Sequence, residues 1–441
     1  MKIARLSNMH QPFPPADYGG AQRSMSQMTY FQAMAGHDVV LYGPRNSTIE
    51  SETAIVSAKY GFNSVFLSTE NKVVLYKGGH EQAGSVTFRT TGYPSIDYND
   101  ACAKERNSEL VQLLIRENQK ENFDIIHCHS TAIMPQLIEA GLQYKTICQL
   151  HDLDPGAAYR EAPYPVIAIS KYHASHIIRE HNAQVLGVAY HGLDQFNNEA
   201  TTEHAGYLAA IGRFSKKKGL DLAVRAARNT NMPMVLAGTT QGGPIMEMHF
   251  HSDVRPYIDY EDPSFLTRHL VSTPEEIEAD IKNIGNLIGK PNPVIFVGSA
   301  NEEQKQVLYS NAQATLFPIR WEEPFGRVMI ESMACGTPVI ANARFGDMLC
   351  GSVGEVIDEG LSGFKIEADD DADCLQKLSL AIKASKGADR GLVRSVFEQK
   401  WTSEANAFAI ENLYKIFLEK RFFSPTACLS PQQNFFRQME I

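Results

Sequence analysis

Short, continuously apolar runs recur along this chain, separated by segments with helical periodicity. In the first half they are Ile3–Ser7, Asp38–Tyr42, Asp124–Cys128, Thr146–Leu150, Val166–Ile169 and Leu186–Tyr190. In the second half they are Tyr207–Ile211, Met234–Ala237, Val294–Val297, Ala314–Phe317 and Pro338–Ala341. Such runs suit strands buried on both faces. Their alternation with helices predicts an α/β architecture of parallel, doubly wound, Rossmann-like sheets. The two halves repeat this pattern without repeating sequence. At 441 residues, the chain suits two domains of roughly 200 residues each.

The polar stretch "DQFNNEATTEHA", Asp194–Ala205, marks the boundary, giving domains over 1–195 and 196–403. A helical pattern over Glu404–Lys420 is expected to return to the first domain, leaving 421–441 as a tail. The segment Gly242–Pro293 reads as an insertion beside the second sheet, with a capping box at Thr273 and Glu276.

Composition narrows the function. The formal net charge of -10 argues against a nucleic-acid binder, which needs a basic surface. Seven scattered cysteines without a C-x-x-C pair fit neither a zinc site nor a disulfide scaffold. They predict reduced thiols and a cytoplasmic location. No apolar run reaches the roughly 18 residues of a spanning helix, and the first residues lack the apolar core of a signal peptide. Phe422, Phe423, Phe435 and Phe436 make the tail a candidate for weak peripheral membrane contact or self-association.

Ligands of parallel sheets sit outside the carboxyl ends of strands, and four loops there carry unusual chemistry. "YGGAQRS" offers Gly19 and Gly20, either for close backbone approach to a phosphate or as a helix-entry turn. "GRFSKKKG" offers Arg213 and Lys218 as a diphosphate clamp, with a solvated lysine run as the plainer alternative. "QLHDLDP" offers His151, a candidate at a reacting centre or a structural histidine. Asp152 and Asp154 spell D-x-D, and His127 and His129 form an alternate pair. Each is a possible metal motif, but alternate strand residues share a face without any metal. "RWEEPFGRVMIESMACGTPVIA" places Glu323 and Glu331 in otherwise apolar surroundings. A helix starting near Phe325 would set them about 12 Å apart and point both at a ligand's hydroxyls rather than at structural partners.

In this order, "YGGAQRS", "FDIIHCH", "VIAISKY", "HGLD", "IGRFSKKKGLDLAVRAA", "VLAG", "VIFVGS" and "EEPFGRVMIESMACGTPVIA" resemble glycosyltransferase family 4, the retaining enzymes of GT-B fold. The resemblance runs from about Met1 to Leu418 and includes the Glu-x7-Glu signature. It implies two Rossmann-like domains facing a cleft that holds a UDP- or GDP-sugar. It implies hexose transfer to a hydroxyl of a glycan, lipid or small molecule, with no metal or other cofactor. By position, Glu323 would bind the donor sugar and Glu331 the ribose. The backbone of Phe325, Gly326 and Arg327 would meet sugar and phosphate. Arg213 and Lys218 would hold the diphosphate, His151 would lie near the reacting sugar, Gly19 and Gly20 near the donor, and Val297 and Gly298 near the base. Gln22 and His191 depart from the pattern, which commonly has an acidic residue and an asparagine there. A nucleotide-sugar epimerase and a non-catalytic nucleotide-sugar-binding protein are the alternatives.

Overall fold

The structure is a computed structural model that describes residues 1–7, 13, 20–45, 60–77, 81–91, 93–94, 102–193, 202–240 and 243–420. Its contacts divide the chain into two units, Met1–Gly192 with the segment from Ser403, and Leu193–Thr402.

The first unit holds a sheet built from β1 (Lys2–Leu6), β2 (Asp38–Gly43), β3 (Phe62–Leu67), β4 (Lys72–Lys77), β5 (Glu81–Thr90), β6 (Ile125–Cys128), β7 (Thr146–Gln149), β8 (Val166–Ala168) and β9 (Val185–Val188). Their order is β3-β4-β5-β2-β1-β6-β7-β8-β9. From β5 to β9 every pairing is parallel. β3, β4 and β5 form an antiparallel meander that extends one edge. The apolar runs become the central strands, and β6, β7 and β8 are buried at every residue. The helix Ser403–Lys420 supplies Ile410, Leu413, Tyr414 and Phe417 to the same core as Ile3, Ile125 and Ile167.

Arg5, fully buried in β1, donates to Thr29 Oγ1 at 2.6 Å, Gln32 Oε1 at 2.5 Å and Tyr414 Oη at 3.4 Å. A buried guanidinium needs such partners. Here they tie the first strand to the helices Gly20–Met34 and Ser403–Lys420.

The second unit holds β10 (Tyr207–Arg213), β11 (Met234–Thr239), β12 (Tyr260–Glu261), β13 (Val294–Phe296), β14 (Ala312–Phe317), β15 (Val339–Phe345), β16 (Met348–Leu349) and β17 (Gly363–Ala368). The order is β12-β13-β11-β10-β14-β15-β16, with β17 also paired to β15. All pairings but β15–β16 are parallel. The segment 243–293 adds the edge strand β12 and the helix Pro274–Ile288, which starts with the expected Thr273–Glu276 capping box. Among the described residues no helix is long and apolar enough to cross a membrane.

Candidate functional site

The second sheet runs outward from β10, through β11 and β13 on one side and through β14 and β15 on the other. The switch point therefore lies between β10 and β14, where open α/β sheets bind ligands. Two loops leave the strand ends there, 214–219 and 318–326.

The first loop starts from Arg213, which ends β10 in register with Thr239. Lys216–Lys218 form one tight turn, closed by Lys218 N–H to Ser215 O at 2.9 Å. Gly219 follows at φ +69°, and a Cβ there would lie 1.9 Å from Pro318 O. Any larger residue would force the two loops apart.

The second loop places Glu323, which is 8% exposed, against the first. Lys218 Nζ donates to Glu323 Oε2 at 2.6 Å, and Trp321 Nε1 donates to the same oxygen at 3.1 Å. The Lys218 ammonium also stands 4.6 Å from the Trp321 ring centre, in cation–π range. Ser352 holds the loop from behind, through N–H to Glu323 O at 3.0 Å and Oγ to Phe325 O at 2.6 Å. Phe325 is buried and packs edge-on against Trp401, so its side chain belongs to the core.

The helix starts at Arg327, two residues later than expected, because Gly326 takes a left-handed φ of +79° at the N-cap. Glu331 sits one turn inside, 4% exposed. It accepts from Tyr309 Oη at 3.2 Å and faces Arg327 Nε at 3.5 Å and Lys305 Nζ at 3.9 Å. Burial, and then the Glu331 carboxylate, push the Tyr309 phenol up, so it stays protonated and donates. The expectation that the two glutamates lack structural partners is thus corrected. Burying a carboxylate requires charge or hydrogen-bond compensation, and both have it within the chain.

The helices Leu220–Thr230 and Arg327–Ala334 begin with Gly219 and Gly326 and carry no side-chain cap. The other helices of nine or more residues described in the unit are capped by Thr273, Asn301, Asp370 and Asp389. Two uncapped helix mouths thus meet at the switch point, each with N–H groups and positive potential suited to an anion. The terminal nitrogens of Arg327 are buried and make no hydrogen bond among the described residues. Gly298, at φ +74°, lies just past β13 and accepts from Gly238 N–H at 2.8 Å, with open space where a side chain would stand.

In the first unit the switch point lies between β1 and β6. Gly19 and most of the loop after β1 lie outside the described residues, while Gly20 opens a helix. His127 and His129 stack at 4.1 Å, His129 Nδ1 meets His151 Nε2 at 3.1 Å, and His151 stacks on His191 at 5.3 Å. His191 Nδ1 reaches Ser24 Oγ at 3.1 Å, and His127 Nδ1 reaches Tyr414 Oη at 2.7 Å. Burial holds His127 and His129 well below the ordinary histidine value. The neighbouring charges of Arg5 for His127, and of His127 for His129, act in the same direction. Both rings are therefore neutral near pH 7.

The loop below His151 is pinned by His173, whose Nε2 donates to Asp152 O at 2.9 Å while its Nδ1 accepts from Ile169 N–H. Burial lowers His173 to about 4. Asp154 accepts from Gly156 N–H at 2.7 Å and Arg160 at 2.9 Å, the bonding of a turn. Among the described residues no group of three or more His, Cys, Asp or Glu is placed to hold a metal.

Residues 193–390 match the family model described as glycosyl transferases group 1. An uncharacterised glycosyltransferase of Methanocaldococcus jannaschii is 25% identical over 142 residues, which is 31% of this chain. The chain spans only 27% of that relative's length. Solved structures are similar over nearly the whole chain. Sucrose-phosphate synthase from Thermosynechococcus elongatus is 18% identical with a TM-score of 0.60, covering 95% of this chain and 99% of that one. The catalytic domain of starch synthase IV from Arabidopsis thaliana, bound to ADP and acarbose, is 14% identical with a TM-score of 0.62 and the same coverage. The Anabaena protein HepE in complex with UDP-glucose is 15% identical with a TM-score of 0.54, again covering 95% and 99%. The fold is the GT-B fold of two Rossmann-like domains.

Sequence reasoning missed Trp321, Tyr309 and Lys305. Trp321 alone left a signal, a large aromatic between a strand end and an acidic pair. Tyr309 and Lys305 read as ordinary residues of an amphipathic helix.

Proposed function

We propose that this protein is a retaining glycosyltransferase that moves a hexose from a nucleoside-diphosphate sugar to an acceptor hydroxyl, without a metal. The observation that carries the reading is the pairing of two uncapped helix mouths with the Lys218–Glu323 pair at the switch point of the second sheet. The buried nitrogens of Arg327 add unused donors beside it. The relatives bound to ADP and to UDP-glucose support a nucleotide-sugar donor. The family resemblance supports retention and the role of His151.

In this reading Lys218 and Arg213 hold the diphosphate, Glu323 the sugar hydroxyls and Glu331 the ribose. The bond from the anomeric carbon to the diphosphate oxygen breaks, and its electron pair leaves with the diphosphate. The acceptor oxygen bonds to the same face, and the departing phosphate oxygen takes the acceptor proton. Charge grows on the diphosphate during this step, so donors already aimed at it stabilise the transition state. We read the scattered cysteines, which form no C-x-x-C pair in the sequence, as reduced thiols of a cytoplasmic enzyme.

The test begins with thermal shift against UDP-, GDP- and ADP-sugars. A ligand at 100 times its Kd stabilises by about 2.7 kcal/mol. Turnover of the stabilising donor then compares wild type with Lys218→Ala and Lys217→Ala. Loss of a donor aimed at the transition state costs about 3 kcal/mol, so Lys218→Ala should lose about 100-fold or more in kcat and Lys217→Ala little. Equal small losses return the loop to a solvated lysine run. Sugar altered without any acceptor would mark an epimerase, and binding without turnover a non-catalytic nucleotide-sugar-binding protein.

A further inference from the structure

Arg320 lies near the start of the loop that carries Glu323, yet two of its hydrogen bonds reach back to the other loop. Its backbone N–H donates to Lys217 O at 2.8 Å and its Nε to Lys216 O at 3.2 Å. Its NH1 donates to Asp371 Oδ1 at 2.9 Å, and its NH2 pairs with Asp221 Oδ1. Asp221 lies in the first turn of the helix that follows Lys218, and Asp371 in the first turn of the helix Asp371–Ala384. Asp221 also faces His249 Nε2 at 3.7 Å, and Asp371 faces Arg225 at 3.5 Å. The Arg320 side chain is only 7% exposed, so water does little to screen these bonds.

We propose that Arg320 is a positioning residue for the reaction, fixing the Lys216–Lys218 turn so that the Lys218 ammonium stands where the diphosphate charge develops. The inference rests on the function proposed above.

Two features separate it from a merely structural ion pair. Arg320 bonds the carbonyls of the very residues that precede Lys218, so the turn cannot shift without breaking them. The next residue, Trp321, underlies the Lys218 ammonium, and Glu323 accepts from it. One short loop therefore sets both the backbone and the side chain of Lys218. Arginine is suited to this because its planar fork serves two carboxylates and a carbonyl at once, whereas lysine is a single point charge. A misplacement of about 1 Å in a catalytic group can cost 100-fold in rate.

The experiment is a double-mutant cycle of Arg320→Lys with Lys218→Ala, reading kcat, KM and Tm. Arg320→Lys should lower kcat by about 10- to 100-fold with a small change in KM. In the Lys218→Ala background it should cost no more than about twofold, because two residues acting through one group are not additive. Asp371→Asn removes the charge of one partner of Arg320 at a partly exposed position. It should give a smaller loss with the same non-additivity, and it carries the cycle if Arg320→Lys unfolds. Losses that multiply, or an unchanged kcat in both variants, overturn the assignment of Arg320 while leaving the proposed function standing. A wild-type protein inactive on every donor overturns the functional reading, and the positioning role falls with it.

Discussion

Glu323 and Glu331 are buried on the same loop and helix, yet their neighbours differ in kind. Glu323 meets Lys218, a catalytic candidate, and Trp321. Glu331 meets Tyr309, Arg327 and Lys305, one hydrogen-bond donor and two cations. Removing one partner of a buried ion pair leaves the other charge uncompensated and typically costs about 3–5 kcal/mol. Alanine is therefore a poor probe of function here, and glutamine, which still accepts a hydrogen bond, is the better one. Glu323→Gln should lower kcat by at least about 30-fold, because the sugar changes shape and charge as its bond breaks. It should leave the affinity for free nucleoside diphosphate nearly unchanged. Glu331→Gln should weaken binding of donor and free diphosphate alike, since the ribose proposed to bind it would be held equally before and during reaction. Calorimetry with the free diphosphate, beside donor turnover, separates the two. If Glu323→Gln abolishes diphosphate binding and Glu331→Gln does not, the two roles are exchanged.

The element scale shows most clearly what a linear reading can reach. Apolar runs such as Val166–Ile169 announce strands because a strand covered on both faces leaves no room for alternation. The Thr273–Glu276 box was legible because capping is local chemistry. The meander β3–β5 was not, for β3 is largely exposed and its residues lack a continuous apolar run. Nor was the Lys218–Glu323 pair, whose members stand 105 positions apart and meet only once β10 and β14 are neighbours. The histidine stack belongs with these. His127 and His129 could be read as sharing one strand face, but the arrival of His151 and His191 follows from strand order. That stack has a consequence for stability. His127 and His129 are lowered by folding from the ordinary value of 6.5. Below pH 6.5 the unfolded chain binds protons that the folded chain refuses, so stability falls as pH drops and is retained above it. Each such histidine contributes a slope of up to about 1.4 kcal/mol per pH unit. Thermal unfolding between pH 7.5 and about 5.5, above the ordinary carboxylate range, should show this loss. His129→Gln should flatten it whatever its effect on Tm at neutral pH. An unchanged slope in that variant would mean that His129 is protonated in the folded protein.

For the molecule as a whole, the remaining question is how a chain of net charge -10 would hold the diphosphate of the proposed reaction and let it leave. Either a divalent cation offsets the phosphate charge, or the protein's own donors do so. Of the two pairs suggestive of a metal in the sequence, His127 and His129 lie in the buried histidine stack, and Asp154 of D-x-D is engaged by Gly156 and Arg160 in a surface turn. The second unit instead gathers Arg213, Lys218, Arg327 and two uncapped helix mouths around its switch point. Helix termini and side-chain cations are fixed by the fold, so they need no reorganisation when charge appears on the leaving group. A metal would have to compete with Lys218 for the same phosphate oxygens. Donor turnover should therefore persist in excess EDTA, and added magnesium or manganese should change kcat by less than about twofold, too little to reflect the several kcal/mol that an essential Lewis acid supplies. The measurement is initial rate across an EDTA titration, repeated with Lys218→Ala. In that variant a divalent cation can take the place of the missing charge, and partial rescue by magnesium would show that the lysine and a metal are alternatives at one position. Complete loss of wild-type activity in EDTA, restored by either metal, would overturn the metal-free mechanism.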